Sequence, residues 1–103
     1  MATTAQSVET RCIDAWILDD TESFCFILSS FLNSTDSVRC SRSFYRCEHA
    51  LRALQNGADP PDVFLLDIEF PSMSGLEARP RLRGLCPDSH IIMLTAFNTD
   101  ENV

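Results

Sequence analysis

Hydrophobic positions along this chain alternate between two kinds of pattern. Ala15-Trp16-Ile17-Leu18, Val63-Phe64-Leu65-Leu66 and Ile91-Ile92-Met93-Leu94 are continuous apolar runs, the signature of parallel strands covered on both faces. Each run stops at a polar residue: Asp19, Asp67 and Thr95. A fourth segment, Val38 to Phe44, sets Val38, Cys40 and Phe44 on one face against Arg39, Ser41 and Ser43, with Arg42 interrupting the apolar side. Charges at such positions predict an edge strand guarded against further pairing.

Helical spacing fills the intervals. Phe24, Ile27, Leu28, Phe31 and Leu32 recur at i, i+3, i+4, i+7 and i+8, predicting a helix capped near Thr21 or Glu22 with one apolar stripe. Phe26 lies off that stripe and is expected to be an isolated exposed aromatic. Cys47, Ala50, Leu51 and Leu54 mark a second helix that ends at Asn56-Gly57, with Pro60-Pro61 beyond. A third is expected to begin near Ser74-Gly75 and to end before Pro87. Pro80 falls inside it, where its missing N–H and ring clash cost about 3 kcal/mol unless the helix starts late or kinks. Residues 1–11 are small and polar and read as a loosely ordered leader. Alternating strand and helix predict a doubly wound α/β sheet with right-handed crossovers. Ligands of such sheets bind beyond the carboxyl ends of the strands, which points to Asp19, Asp20, Asp67 and Thr95.

Composition narrows the chemistry. All eight basic residues are arginines, and there is no lysine among the 103 residues, which excludes Schiff-base chemistry and a P-loop. A formal charge of −7 argues against a nucleic-acid-binding face, because affinity for a polyanion requires clustered cations. Five cysteines without a C-x-x-C pair or secretory leader read as reduced thiols. His49 and His90 fit no metal-ligand spacing. No apolar run reaches the roughly 18 to 20 residues of a membrane span. A soluble, cytoplasmic single domain is the expectation.

Neighbouring first and third strands would bring Asp19, Asp20 and Asp67 to one rim, where like charges repel and a hard cation relieves them. Mg2+ suits all-oxygen ligands and leaves positions for phosphate oxygens. An aspartate beside it can attack phosphorus and become an aspartyl phosphate. Thr95 offers a hydroxyl to a phosphoryl oxygen. An Asp-Asp pair after a strand taken alone would cap a helix.

Three segments together resemble the receiver domains of two-component response regulators: Ile17-Leu18-Asp19-Asp20, then Leu65 to Glu77 with the core Asp67-Ile68-Glu69-Phe70-Pro71-Ser72-Met73-Ser74-Gly75, then Ile92-Met93-Leu94-Thr95-Ala96. That family carries a proline four residues after its phosphorylated aspartate and a glycine four further on, the places of Pro71 and Gly75. The resemblance covers about residues 12 to 103 and implies a flavodoxin-like sheet of order 2-1-3-4-5. It further implies that Asp67 accepts a phosphoryl group from a sensor histidine kinase or phosphotransfer protein. Asp19, Asp20, Asp67 and the Glu69 carbonyl would hold Mg2+. Thr95, beside Ala96, would contact the phosphoryl group and pass the change to a partner or to an output domain outside this chain.

The resemblance breaks in two places. Pro80 sits where the family continues its third helix. The chain reaches Val103 where Thr99-Asp100-Glu101-Asn102 looks like the cap of a fourth helix, so most of that helix, the fifth strand with the family's lysine, and the fifth helix have no counterpart. We therefore read the sequence as a fragment of a longer regulator and expect self-association through the exposed Ile91–Leu94 edge. A degenerate receiver that binds partners without phosphorylation is the alternative. A haloacid-dehalogenase-type Mg2+ phosphohydrolase is less consistent, because that family places D-x-D after its strand, whereas Thr21 and Glu69 occupy the second positions here.

Overall fold

The computed structural model describes residues 12–68 and 73–94. Within them, β1 (Ile13–Leu18), α1 (Glu22–Asn33), β2 (Val38–Phe44), α2 (Cys47–Gln55), β3 (Val63–Asp67), α3 (Gly75–Leu85) and β4 (His90–Leu94) follow in chain order. The strands form one parallel sheet in the order β2-β1-β3-β4. This is the expected order up to the fourth strand, and it makes β1 and β3 neighbours.

One face of the sheet carries the core. Trp16 and Leu18 from β1 and Phe64 and Leu66 from β3 pack against Cys47, Ala50 and Leu51 of α2 and Ala78 and Leu82 of α3. Trp16 meets Phe64 edge-on at 5.8 Å between ring centroids, and Phe44 at 5.1 Å, spacings at which aromatic pairs add to area burial. The second helix stops as expected: Gly57 takes φ 101° and donates its N–H to the Leu54 carbonyl at 3.1 Å, the left-handed conformation that glycine adopts without a Cβ penalty.

Two expectations fail for identifiable reasons. The β1–β2 register slips between Ala15 and Trp16, whose partners are Cys40 and Arg42, so Ser41 is bulged out. A bulge reverses the alternation of faces. Val38 and Cys40 thus stay with Ile13 and Ala15, while Phe44 turns to the core face instead of sharing theirs. Arg42 follows it there, its guanidinium 5.3 Å from the centroid of the Trp16 ring, a cation–π contact. The second failure is the α1 stripe. Cys25 is the buried residue of this helix; Leu28 and Leu32 are half-buried, and Phe24, Ile27 and Phe31 are exposed. The stripe is wider than the strip of sheet beneath it, because α1 lies over β1 and β2. Phe26 is exposed as expected. Pro80 neither delays α3 nor ends it, for the helix runs through it to Leu85.

A candidate phosphoacceptor site at the carboxyl end of the sheet

Adjacency of β1 and β3 places the carboxylates at their ends in one cluster. Single side-chain oxygens of Asp19, Asp20 and Asp67 all lie within 4.8 Å of one another. Asp19 and Asp67 are buried at 8% and 7% exposure, whereas Asp20 is exposed. The site is therefore a floor of two sheltered carboxylates with a third at its mouth.

Each support arises locally. The N–H of Asp19 donates to the Phe44 carbonyl at 3.0 Å, extending the β1–β2 ladder by one step. Its Oδ1 accepts the Thr21 N–H at 2.9 Å, an Asx-type turn ahead of α1 rather than a helix cap, because Thr21 is the N-cap and no side chain caps it. The turn occupies one oxygen, and a carboxylate has roughly four lone-pair sites. Beneath, the Cys25 thiol donates to the Asp19 carbonyl at 3.3 Å. Burial, with Asp19 next in weight, pushes that thiol up to about 11. Burial and then the charges of Glu48 and Asp67 push Cys47 up to about 12. Cysteine spacing marks these residues only as reduced thiols; their place under the site depends on tertiary contacts that spacing does not report.

Gly75 has a steric reason to be glycine. A Cβ there would overlap the Asp67 carbonyl oxygen and come within 2.9 Å of the Asp67 carbonyl carbon and the Ile68 Cα. The first turn of α3 thus runs against the backbone that carries Asp67, joined to it by the Gly75 N–H to Ile68 carbonyl bond at 2.7 Å. A capping box fixes that turn: Ser74 Oγ accepts the Glu77 N–H and the Glu77 carboxylate accepts the Ser74 N–H, both at 3.3 Å. The Ile68 N–H donates to the Leu94 carbonyl at 3.2 Å, tying the end of β3 to the end of β4. Glu69, Pro71, Thr95 and Ala96, together with residues 1–11 and the expected cap at 99–102, lie outside the described residues.

Three carboxylates this close fit Mg2+. Their oxygens lie within 4.8 Å of one another, close enough for one small cation to be shared among them after side-chain adjustment. The donors are all hard oxygens, as the ion prefers.

A parallel sheet of order 2-1-3-4, flanked by helices and carrying an acidic cluster at its carboxyl rim, defines the CheY-like α/β class. The chain belongs to the response regulator receiver domain family, whose model matches residues 15–103. It is 30% identical over 85 residues to the DNA-binding transcriptional regulator NtrC of Proteus hauseri, an overlap of 82% of this chain and 17% of that protein. It is 35% identical over 81 residues to a protein-glutamate methylesterase/protein-glutamine glutaminase of Azospirillum brasilense, covering 79% and 20%. The chain thus spans about a fifth of the length of these curated relatives. Among solved structures, the response regulator domain of Thermotoga maritima CheB superposes with a TM-score of 0.73 at 24% identity, over 84% of this chain and 62% of that one. CheY in a CheX-CheY-BeF3-Mg+2 complex from Borrelia burgdorferi gives 0.72 at 21%, over 88% and 67%; at these identities the likeness concerns the fold. Among the described residues no helix is long and apolar enough to cross a membrane.

Proposed function

We propose that this domain is a phosphorylation switch in which Asp67 accepts a phosphoryl group. The observation that carries the reading is the convergence of Asp19, Asp20 and Asp67 within 4.8 Å at the ends of adjacent parallel strands. In the proposed transfer an Asp67 carboxylate oxygen attacks the phosphorus of a phosphohistidine on a sensor kinase or phosphotransfer protein. The P–N bond breaks, its electron pair returns to the imidazole nitrogen, and an acyl phosphate remains on Asp67. Bound Mg2+ would neutralise charge on the phosphoryl oxygens and the aspartates. Asp19, Asp20 and Asp67, with the Glu69 carbonyl, would hold it. The structural neighbour from Borrelia burgdorferi, a CheY in complex with BeF3 and Mg+2, supports this reading.

Thr95 would meet the phosphoryl oxygens. The modification turns one carboxylate charge into about two and adds acceptor oxygens, a change large enough to bias a two-state loop. Output then belongs to a partner or to a domain beyond this chain, in a cytoplasmic two-component pathway. Exposure of the protein to a small acyl phosphate with Mg2+, followed by intact mass, tests the proposal. One added phosphoryl group, absent in Asp67→Asn, is expected; an unmodified wild type, or equal modification of the variant, contradicts it.

A further inference from the structure

We propose that Cys25 is a positioning residue for the cation site, its buried thiol holding the Asp19–Asp20 peptide in the orientation that brings the Asp20 carboxylate to the cluster. The inference rests on the reading of Asp19, Asp20 and Asp67 as Mg2+ ligands. Of these three, Asp20 has the least support from packing, because Asp19 and Asp67 are buried and Asp20 is exposed. Its direction is set by the peptide that precedes it, and the carbonyl of that peptide belongs to Asp19. The Cys25 thiol donates to this oxygen at 3.3 Å, from a side chain only 1% exposed. A thiol is a weak donor, but at that depth water does not replace it.

The same residue closes a ring of hydrogen bonds. Asp19 Oδ1 accepts the Thr21 N–H at 2.9 Å, the Thr21 carbonyl accepts the Cys25 N–H at 3.0 Å, and the Cys25 thiol returns to Asp19. From β2, the Phe44 carbonyl anchors the Asp19 N–H at 3.0 Å. Asp20 is thus carried on a short loop fixed at both ends and, through the thiol, at its first peptide. Without the thiol the Asp19 carbonyl has no hydrogen-bond donor among the described residues. A buried acceptor left unmet turns to find a partner, and rotation of that peptide plane shifts Asp20 against Asp19 and Asp67. Mg2+ prefers oxygen to soft thiol ligands, so Cys25 acts through the backbone and not on the ion.

Calorimetric titration of the full chain with Mg2+, without a phosphodonor, tests this in wild type, Cys25→Ala, Cys25→Val and Cys25→Ser, with circular dichroism confirming folding. Alanine and valine remove the donor, and valine does so without leaving a cavity. Both are expected to weaken Mg2+ binding about threefold to tenfold, whereas serine, which keeps a donor, stays within about twofold of wild type. In the metal-free protein, amide exchange followed by NMR should be faster at Thr21 in Cys25→Ala and Cys25→Val and protected in Cys25→Ser. A purely structural Cys25 would instead lower the urea midpoint of Cys25→Ala while leaving its Mg2+ affinity unchanged, and that result overturns the proposal. So does a serine variant as weak as the alanine variant. A wild type that binds no Mg2+ overturns the cation reading itself, and this inference with it.

Discussion

Replacing Gly75 with alanine isolates the contact on which the site's geometry rests. The added methyl would overlap the Asp67 carbonyl oxygen and press on two further backbone atoms at 2.9 Å. Neither belongs to a side chain that can swing aside, so the first turn of α3 must retreat. Retreat strains or breaks the 2.7 Å Gly75 N–H to Ile68 carbonyl bond, a loss of about 1 kcal/mol. Overpacking of this kind adds about 1 to 3 kcal/mol. Against these stands the helix preference for alanine, about 0.5 to 1 kcal/mol. The expected net destabilisation is about 1 to 3 kcal/mol, read as a lower urea midpoint at unchanged slope. Gly84 is the internal control, because it lies in the same helix and a Cβ there meets nothing within 4 Å. Gly84→Ala should stabilise by about 0.5 to 1 kcal/mol. Equal signs for the two substitutions, or a neutral Gly75→Ala, would refute the steric argument.

Other consequences are open to the same assays. Pro80→Ala restores an N–H inside α3 and should raise stability by about 1 to 2 kcal/mol, visible in the urea midpoint. Cys25 and Cys47 are raised from the ordinary thiol value of 9.0 to about 11 and about 12. Their contribution is complete below pH 9, and above it the unfolded chain loses these protons first. Stability should therefore fall from pH 9 towards 11 to 12, by about 1.4 kcal/mol per pH unit per thiol. Cys47→Ala should remove about half of that slope. In Asp67→Asn the repulsion among the three carboxylates is reduced. The variant should be more stable than wild type without divalent cations, yet gain less from millimolar Mg2+ in a thermal melt, since a ligand stabilises only the state that binds it.

Much of this architecture was legible because the features that determine it are local. The runs at 15–18, 63–66 and 91–94 became β1, β3 and β4, and the glycine stop after α2 and the Ser74 cap of α3 followed from turn chemistry with little tertiary input. What escaped depends on partners distant in sequence. The bulge at Ser41 arises from the β1–β2 register, and without it a period of two assigns Phe44 to the wrong face. The outward turn of Phe24, Ile27 and Phe31 follows from how much sheet α1 covers, which periodicity cannot encode. Gly75 was marked by its spacing from Asp67, but its reason, a helix start pressed against the Asp67 backbone, is visible only in three dimensions. Asp19, Asp20 and Asp67 were legible as a group because the strand order brings two strand ends together. Thr95, Ala96, Glu69 and Pro71 rest on the family resemblance, being outside the described residues.

We propose Asp67 as the residue that carries the phosphoryl group. Incubation with a small acyl phosphate and Mg2+, trapping with borohydride, and fragment mass spectrometry test it at residue resolution, because hydride reduces an aspartyl phosphate to homoserine. The expected result is homoserine at position 67, dependent on Mg2+ and on the phosphodonor. Reduction at Asp19 or Asp20, or at no residue while the fold is intact, would contradict it.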